Sequence, residues 1–99
     1  MQIQSLITLE NGVHMTFEVK HNRLWYEMDE PNDKDMMVTI YNASALIQMF
    51  DDKETTFHQS ALRQKRVLLP GTYIFTFSND PSIHLSVLFI NNKLSFEVY

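Results

Sequence analysis

The sequence of residues 66–99 reads RVLLPGTYIFTFSNDPSIHLSVLFINNKLSFEVY. It contains runs rich in aromatic and β-branched side chains, which span Arg66–Leu69, Thr72–Ser78, Ile83–Ile90 and Leu94–Tyr99. Turn-forming residues, among them Pro70 and Gly71, separate these runs. Side chains alternate across a β-strand, so a strand with one buried face needs an apolar residue at every second position. The pattern therefore predicts an antiparallel meander.

The first part of the chain has the same character. Alternation there predicts further strands at Gln2–Leu9, Val13–Lys20, Arg23–Met28 and Met36–Tyr41. Asn and Gly tolerate positive φ, so Asn11-Gly12 predicts a two-residue hairpin turn between the first two strands. His21-Asn22 predicts a second tight turn.

The region between residues 42 and 64 does not alternate so clearly. Asn42 can cap a helix, and the apolar residues of 43–50 recur at spacings of three and four, which predicts one short helix. Residues 55–64 fit either an irregular strand or a second helical turn, and we favour the strand.

Together these elements predict an all-β, mainly antiparallel fold. We expect a small β-sandwich or a partly open barrel of roughly seven or eight strands, with one short helix near 43–50, because a single sheet would leave an apolar face wet. The length of 99 residues predicts a single β domain over residues 1–99.

Composition limits the class of protein. Hydrophobic residues make up 44% of the chain and charged residues 20%, which is typical of globular domains rather than disordered ones. The chain has no cysteine, which favours a reducing compartment, and we expect a cytoplasmic location. The N-terminus lacks the pattern of a signal peptide, and no apolar run is long enough to span a bilayer, so no membrane association is predicted.

The titratable residues predict neither a metal site nor an enzyme. The four histidines His14, His21, His58 and His84 share no ligand spacing, and the acidic segment 27–35 lacks the glycine and spacing of a calcium loop. The sequence has no cysteine nucleophile, no glycine-rich phosphate loop and no patterned Ser-His-Asp set. We therefore expect a protein without a cofactor and without catalytic activity.

One dense basic cluster is present. Arg63, Lys65 and Arg66, with His58 nearby, form a candidate site for phosphate or for an acidic partner. In an extended segment Arg63 and Lys65 share a face and Arg66 points the other way. The alternative is a charged strand edge that discourages aggregation. A formal charge of −4 and only three clustered cations argue against a broad nucleic-acid interface.

Aromatic side chains provide a second candidate site. Trp25 is out of phase with the apolar residues of its strand and falls on the polar side with Arg23 and Glu27. It is either an exposed contact for a partner or a sugar, or a core residue of a sheet covered on both faces. Tyr41 and Tyr99 present the same two alternatives.

Two short segments resemble known families. The segment 70–77, PGTYIFTF, resembles the Pro-Gly-x-Tyr-x-Phe strand of jelly-roll and carbohydrate-binding β-sandwiches. Residues 17–20 together with 37–44 are similar to β-domains of phage tail and baseplate proteins, although the glycine-rich strand of that group is missing. Each resemblance covers less than a third of the chain and carries no site residue over to it.

These observations favour a non-enzymatic interaction or assembly module. We expect it to bind another protein, or a second copy of itself, through a sheet edge or an exposed aromatic face. A phage or mobile-element accessory protein fits this description. The alternatives are a β-sandwich that binds a carbohydrate or small ligand near Trp25, and a weak nucleic-acid binder that uses Arg63, Lys65 and Arg66.

Overall fold

The computed structural model describes residues 3–29, 35–44, 54–58 and 66–99. These residues form nine strands and no helix. The strands are β1 Ile3–Thr8, β2 His14–Lys20, β3 Arg23–Met28, β4 Met37–Asn42, β5 Glu54–His58, β6 Arg66–Leu68, β7 Gly71–Phe77, β8 Asp80–Ile90 and β9 Lys93–Val98.

The strands form two antiparallel sheets. Sheet A has the order β1-β2-β3-β6, and sheet B has the order β5-β4-β7-β8-β9. The all-β sandwich expected from the alternating sequence is therefore confirmed. Of the meander predicted over residues 66–99, β7, β8 and β9 pair in chain order, whereas β6 pairs with β3 in sheet A.

The core lies between the sheets, on the faces that the alternation predicted. In β2 the side chains of Met15, Phe17 and Val19 are buried, and in β7 those of Tyr73, Phe75 and Phe77 are buried. Phe17 occupies the centre, with its ring 5.9 Å from that of Phe75 and 5.0 Å from that of Phe96. Aromatic pairs at these separations stabilise a core beyond the area that they bury.

Cross-sheet contacts show which edge strands share a side of the sandwich. The guanidinium carbon of Arg66, in β6, lies 4.6 Å from the centre of the Phe57 ring in β5. Phe17 in β2 contacts Phe96 in β9, and Tyr26 in β3 contacts Phe75 in β7. The edges β5 and β6 therefore form one side of the sandwich, the β5–β6 side, and the edges β1 and β9 form the opposite one, the β1–β9 side.

Two of the connections are two-residue turns with positive φ at both positions. His21 and Asn22 have φ of 54° and 56°, and Asn91 and Asn92 have φ of 54° and 60°. This geometry is that of a type I′ turn, whose twist matches the flanking strands. The turn predicted at His21-Asn22 is confirmed.

The first hairpin differs from the prediction. Its loop has three residues, because the N–H of Gly12 donates to the carbonyl of Leu9 and the N–H of Leu9 donates to the carbonyl of Val13, at 3.0 and 2.9 Å. Gly12, with a φ of 89°, is the bulge residue that follows the tight turn. The two-residue turn predicted at Asn11-Gly12 is wrong; Asn11 instead accepts a hydrogen bond from the N–H of Val13 through its side chain.

Three other expectations have separate outcomes. Strand β8 begins at Asp80, inside the predicted turn, and a bulge follows where Phe77 pairs with Asp80 and Thr76 with His84. Of the predicted helix at 43–50, Ala43 and Ser44 are not helical, and residues 45–50 lie outside the described residues. Of the irregular strand predicted at 55–64, residues 55–58 belong to β5 and residues 59–64 lie outside the described residues.

Candidate interaction edge

Strand β1 forms an open edge of sheet A, since among the described residues it pairs with β2 alone. The direction of its backbone groups follows from the first hairpin. Leu9 hydrogen-bonds to Val13 across the loop, so every second residue of β1 before Leu9 also bonds to β2. Consequently Ser5 and Ile7 direct their N–H and C=O groups towards β2, whereas Gln4, Leu6 and Thr8 direct theirs away from the sheet.

The bonding between β2 and β3 independently supports this phase. The N–H of Asp29 donates to the carbonyl of His14 at 2.9 Å, so His14 directs its backbone towards β3. Met15, the next residue, therefore directs its backbone towards β1, where its partner is Ile7. Both hairpins therefore indicate that Gln4, Leu6 and Thr8 direct their backbone N–H and C=O groups away from the sheet.

The composition of β1 leaves this edge unguarded. Its sequence IQSLIT contains no charge, proline or glycine, and its six residues pair with β2 without a bulge. Edge strands that avoid pairing usually carry a charge, a proline or a bulge. Leu6 lies on the outer face with 69% of its surface exposed, more than any other large apolar side chain of the described residues. Residues Gln4, Leu6 and Thr8 together are called the β1 edge below.

Strand β9, the other edge on this side, is built differently. His84 and Tyr99 bond to each other through both backbone groups, so Leu94, Phe96 and Val98 direct their N–H and C=O groups outwards. Charged and exposed Lys93 and Glu97 stand on its outer face. This strand therefore carries charges of the kind that β1 lacks.

The β5–β6 side is capped by a cation. Arg66 is half-buried and lies over Phe57, opposite Tyr26 of the neighbouring strand. Burial raises the pKa of Tyr26 to about 12, and the nearby Arg66 charge opposes part of that rise. Arg66 thus faces the interior of the sandwich, apart from any surface on which a phosphate track would run. Arg63 and Lys65 lie outside the described residues.

Trp25 lies on the outer face of sheet A and is half-buried. It stands opposite Glu18, which is 9% exposed, and Val67, which is 47% exposed. Its indole Nε1 is buried and has no hydrogen-bond partner in the described part of the chain. Trp25 is therefore neither a core residue between the two sheets nor a fully presented aromatic face.

The remaining predicted residues are dispersed. Tyr41 is 37% exposed on the outer face of sheet B, and His58 is exposed on the neighbouring strand β5. Tyr99 is 58% exposed and stacks on His84, with ring centres 5.3 Å apart. The predicted site residues that the structure describes therefore do not converge on one surface.

In the described part of the chain, a depression of about 230 Å³ on sheet B is lined by Thr72, Ser86, Leu88, Ser95, Phe96 and Glu97. Within residues 3–29, 35–44, 54–58 and 66–99, no three His, Asp or Glu side chains are placed to hold a metal ion together. The same residues contain no helix of the length and apolarity that crossing a membrane requires.

The β1 edge was not among the sites predicted from the sequence. Its signal was the run of six uncharged residues at 3–8, which is visible in the sequence once the strand is known to be an edge. Comparisons of the chain with protein-family models, with curated proteins and with solved structures give no match.

Proposed function

We propose that this protein is a non-enzymatic interaction module that accepts a partner's β-strand along the β1 edge. The observation that carries the proposal is the combination of outward backbone groups at Gln4, Leu6 and Thr8 with a strand that contains no charge, no proline and no bulge. Strand addition to an open edge is a common way for proteins to recognise extended segments.

The chemistry of the edge indicates the type of partner. Three outward residues supply N–H donors and C=O acceptors, which an added antiparallel strand would satisfy. Leu6, 69% exposed, would pack against an apolar side chain of that strand on the outer face. The preferred partner is therefore an extended, uncharged segment with an apolar residue opposite Leu6.

The alternative functions have less support. The depression of about 230 Å³ is smaller than the roughly 300–1,000 Å³ of typical ligand pockets, and Trp25 is half-buried. Arg66 lies over Phe57, which leaves a nucleic-acid interface without one of its three expected cations. The phage or mobile-element setting stays a prediction from the sequence.

A peptide-display selection tests the proposal. The full chain is used to select extended peptides, and binders are mapped by amide chemical shifts. We expect the binders to perturb Gln4, Leu6 and Thr8, and Leu6→Lys to abolish binding.

Leu69→Lys is the matched control, because Leu69 is 59% exposed and lies at the end of β6, away from β1. This variant should bind like the wild type. Binders that map to the outer face of sheet B, or binding that survives Leu6→Lys, would contradict the proposal.

A further inference from the structure

We infer that the strand added to the β1 edge is β1 of a second copy of this chain. The inference rests on the function proposed above and names its partner. The two β1 strands would run antiparallel to each other about a two-fold axis that passes between the two copies of Leu6. This pairing would join the two four-stranded A sheets into one continuous sheet.

The backbone pattern is self-complementary in this register. The axis passes midway between the two copies of Leu6, so that Leu6 faces Leu6 of the second copy and Gln4 faces Thr8 of the second copy. All of these residues direct their N–H and C=O groups outwards. Since each hydrogen-bonded antiparallel pair exchanges two bonds, the strands would form about six new backbone hydrogen bonds.

The side chains also suit this pairing. Directly opposite like charges destabilise paired strands, and β1 contains no charge that its own copy could repel. The two Leu6 side chains, each 69% exposed in the single chain, would lie side by side on the outer face. Gln4 and Thr8, both polar, would stand across from each other on the same face.

The second layer of the sandwich gives an independent reason for this partner. Strand β9 lies on the same side as β1, and its inner-facing side chains stay partly uncovered: Val98 is 55% exposed, and Leu94 and Phe96 are half-buried. Because the two-fold axis between the two copies of Leu6 is perpendicular to sheet A, it would also bring the β9 strands of both copies towards each other. A second copy would therefore cover apolar surface in both layers, which a single added peptide strand would not.

Sedimentation velocity on the full chain over a wide concentration range provides the first test. We expect a reversible dimer in the wild type. Leu6→Lys should weaken dimerisation by about 100-fold, because it replaces the apolar contact at the axis by two like charges. Leu69→Lys should dimerise like the wild type.

A cysteine variant gives a second readout that does not depend on disruption. The chain has no cysteine, so Leu6→Cys introduces a single thiol per copy. Opposite residues of a hydrogen-bonded antiparallel pair have Cβ atoms about 5.5 Å apart, which is too far for an unstrained disulfide but within reach of a short bis-maleimide cross-linker. Such a reagent should therefore cross-link Leu6→Cys as a dimer and leave Leu69→Cys monomeric.

The outcomes separate this inference from the proposed function. A wild type that stays monomeric into the millimolar range, or an equal yield of cross-link in both cysteine variants, would overturn the homodimer. If selected peptides still bind at the β1 edge, the strand-addition module survives with a different partner. If peptides also fail to bind there, both proposals are wrong.

Discussion

The β5–β6 side and the β1–β9 side of the sandwich differ in which side chains cover their edges. On the β5–β6 side, Arg66 lies with its guanidinium 4.6 Å from the Phe57 ring centre, so a cation covers the apolar interior. On the β1–β9 side, the six uncharged residues of β1 end the sheet, and Val98 stays 55% exposed. A charged side chain therefore lies over the interior on the β5–β6 side, whereas β1 leaves an uncharged edge on the other side, where we propose that a partner strand binds.

Proline substitutions test the direction of the β1 backbone and should have the largest effect on stability. Ile7→Pro removes an N–H that bonds to β2 and leaves the Met15 carbonyl unpaired, so we expect a loss of about 3 kcal/mol in the free energy of unfolding. Leu6→Pro removes an outward N–H and should cost roughly 1 kcal/mol or less. Urea unfolding measures both, and equal losses would show that the backbone assignment is wrong.

Unfolding at alkaline pH tests the burial of the Tyr26 hydroxyl near the β5–β6 side. Burial raises the pKa of Tyr26 to about 12 from 10.0, so the folded protein keeps its phenol neutral where the unfolded chain ionises. The stabilisation is complete below pH 10 and is lost as pH rises towards 12, by about 2–3 kcal/mol. Tyr26→Phe should show a correspondingly shallower fall in unfolding free energy over this range, and parallel curves would contradict the burial of that hydroxyl.

Replacing the cation of the β5–β6 side should have a moderate effect. Arg66→Met keeps a long apolar side chain but removes the charge over Phe57, and we expect a loss of about 0.5–2 kcal/mol. It should also raise the pKa of Tyr26 further, because Arg66 opposes the rise. Arg23→Met, at an exposed arginine, is the control and should leave stability unchanged; a matching loss there would remove the special role of Arg66.

Trp25 should give the smallest effect. Trp25→Phe gives up apolar area but also removes a buried indole N–H without a partner in the described residues, whose burial costs about 1–3 kcal/mol. We expect a net change below about 1 kcal/mol, and unaltered dimerisation. A loss of several kcal/mol would mean that Trp25 is a core residue of a face covered on its outer side, the alternative left open by its sequence position.

The sequence predicted the features that depend on local alternation. Side chains of a strand point to the same face at every second residue, and this alternation places Phe17 and Phe75 on the buried face, where the structure has them. His21 and Asn22 form the expected turn because both tolerate positive φ.

What the sequence did not predict depends on pairing between distant segments. Residues 3–8 read as one more strand, and only the order of sheet A makes this strand an edge and Leu6 a candidate contact. Arg66 belongs to a basic cluster in sequence, yet the pairing of β6 with β3 turns it inwards towards Tyr26. Bulges such as the one between Thr76 and Phe77 likewise depend on the partner strand.

Amide hydrogen exchange along β1, measured by NMR at several protein concentrations, distinguishes an open β1 edge from one that pairs with a partner. In dilute solution Ser5 and Ile7 should exchange slowly and Gln4, Leu6 and Thr8 rapidly. On concentration the outward amides should gain protection while those of Ser5 and Ile7 stay protected. Uniform protection in dilute solution, or outward amides that stay unprotected at high concentration and with selected peptides, would contradict the β1 edge as an interaction site.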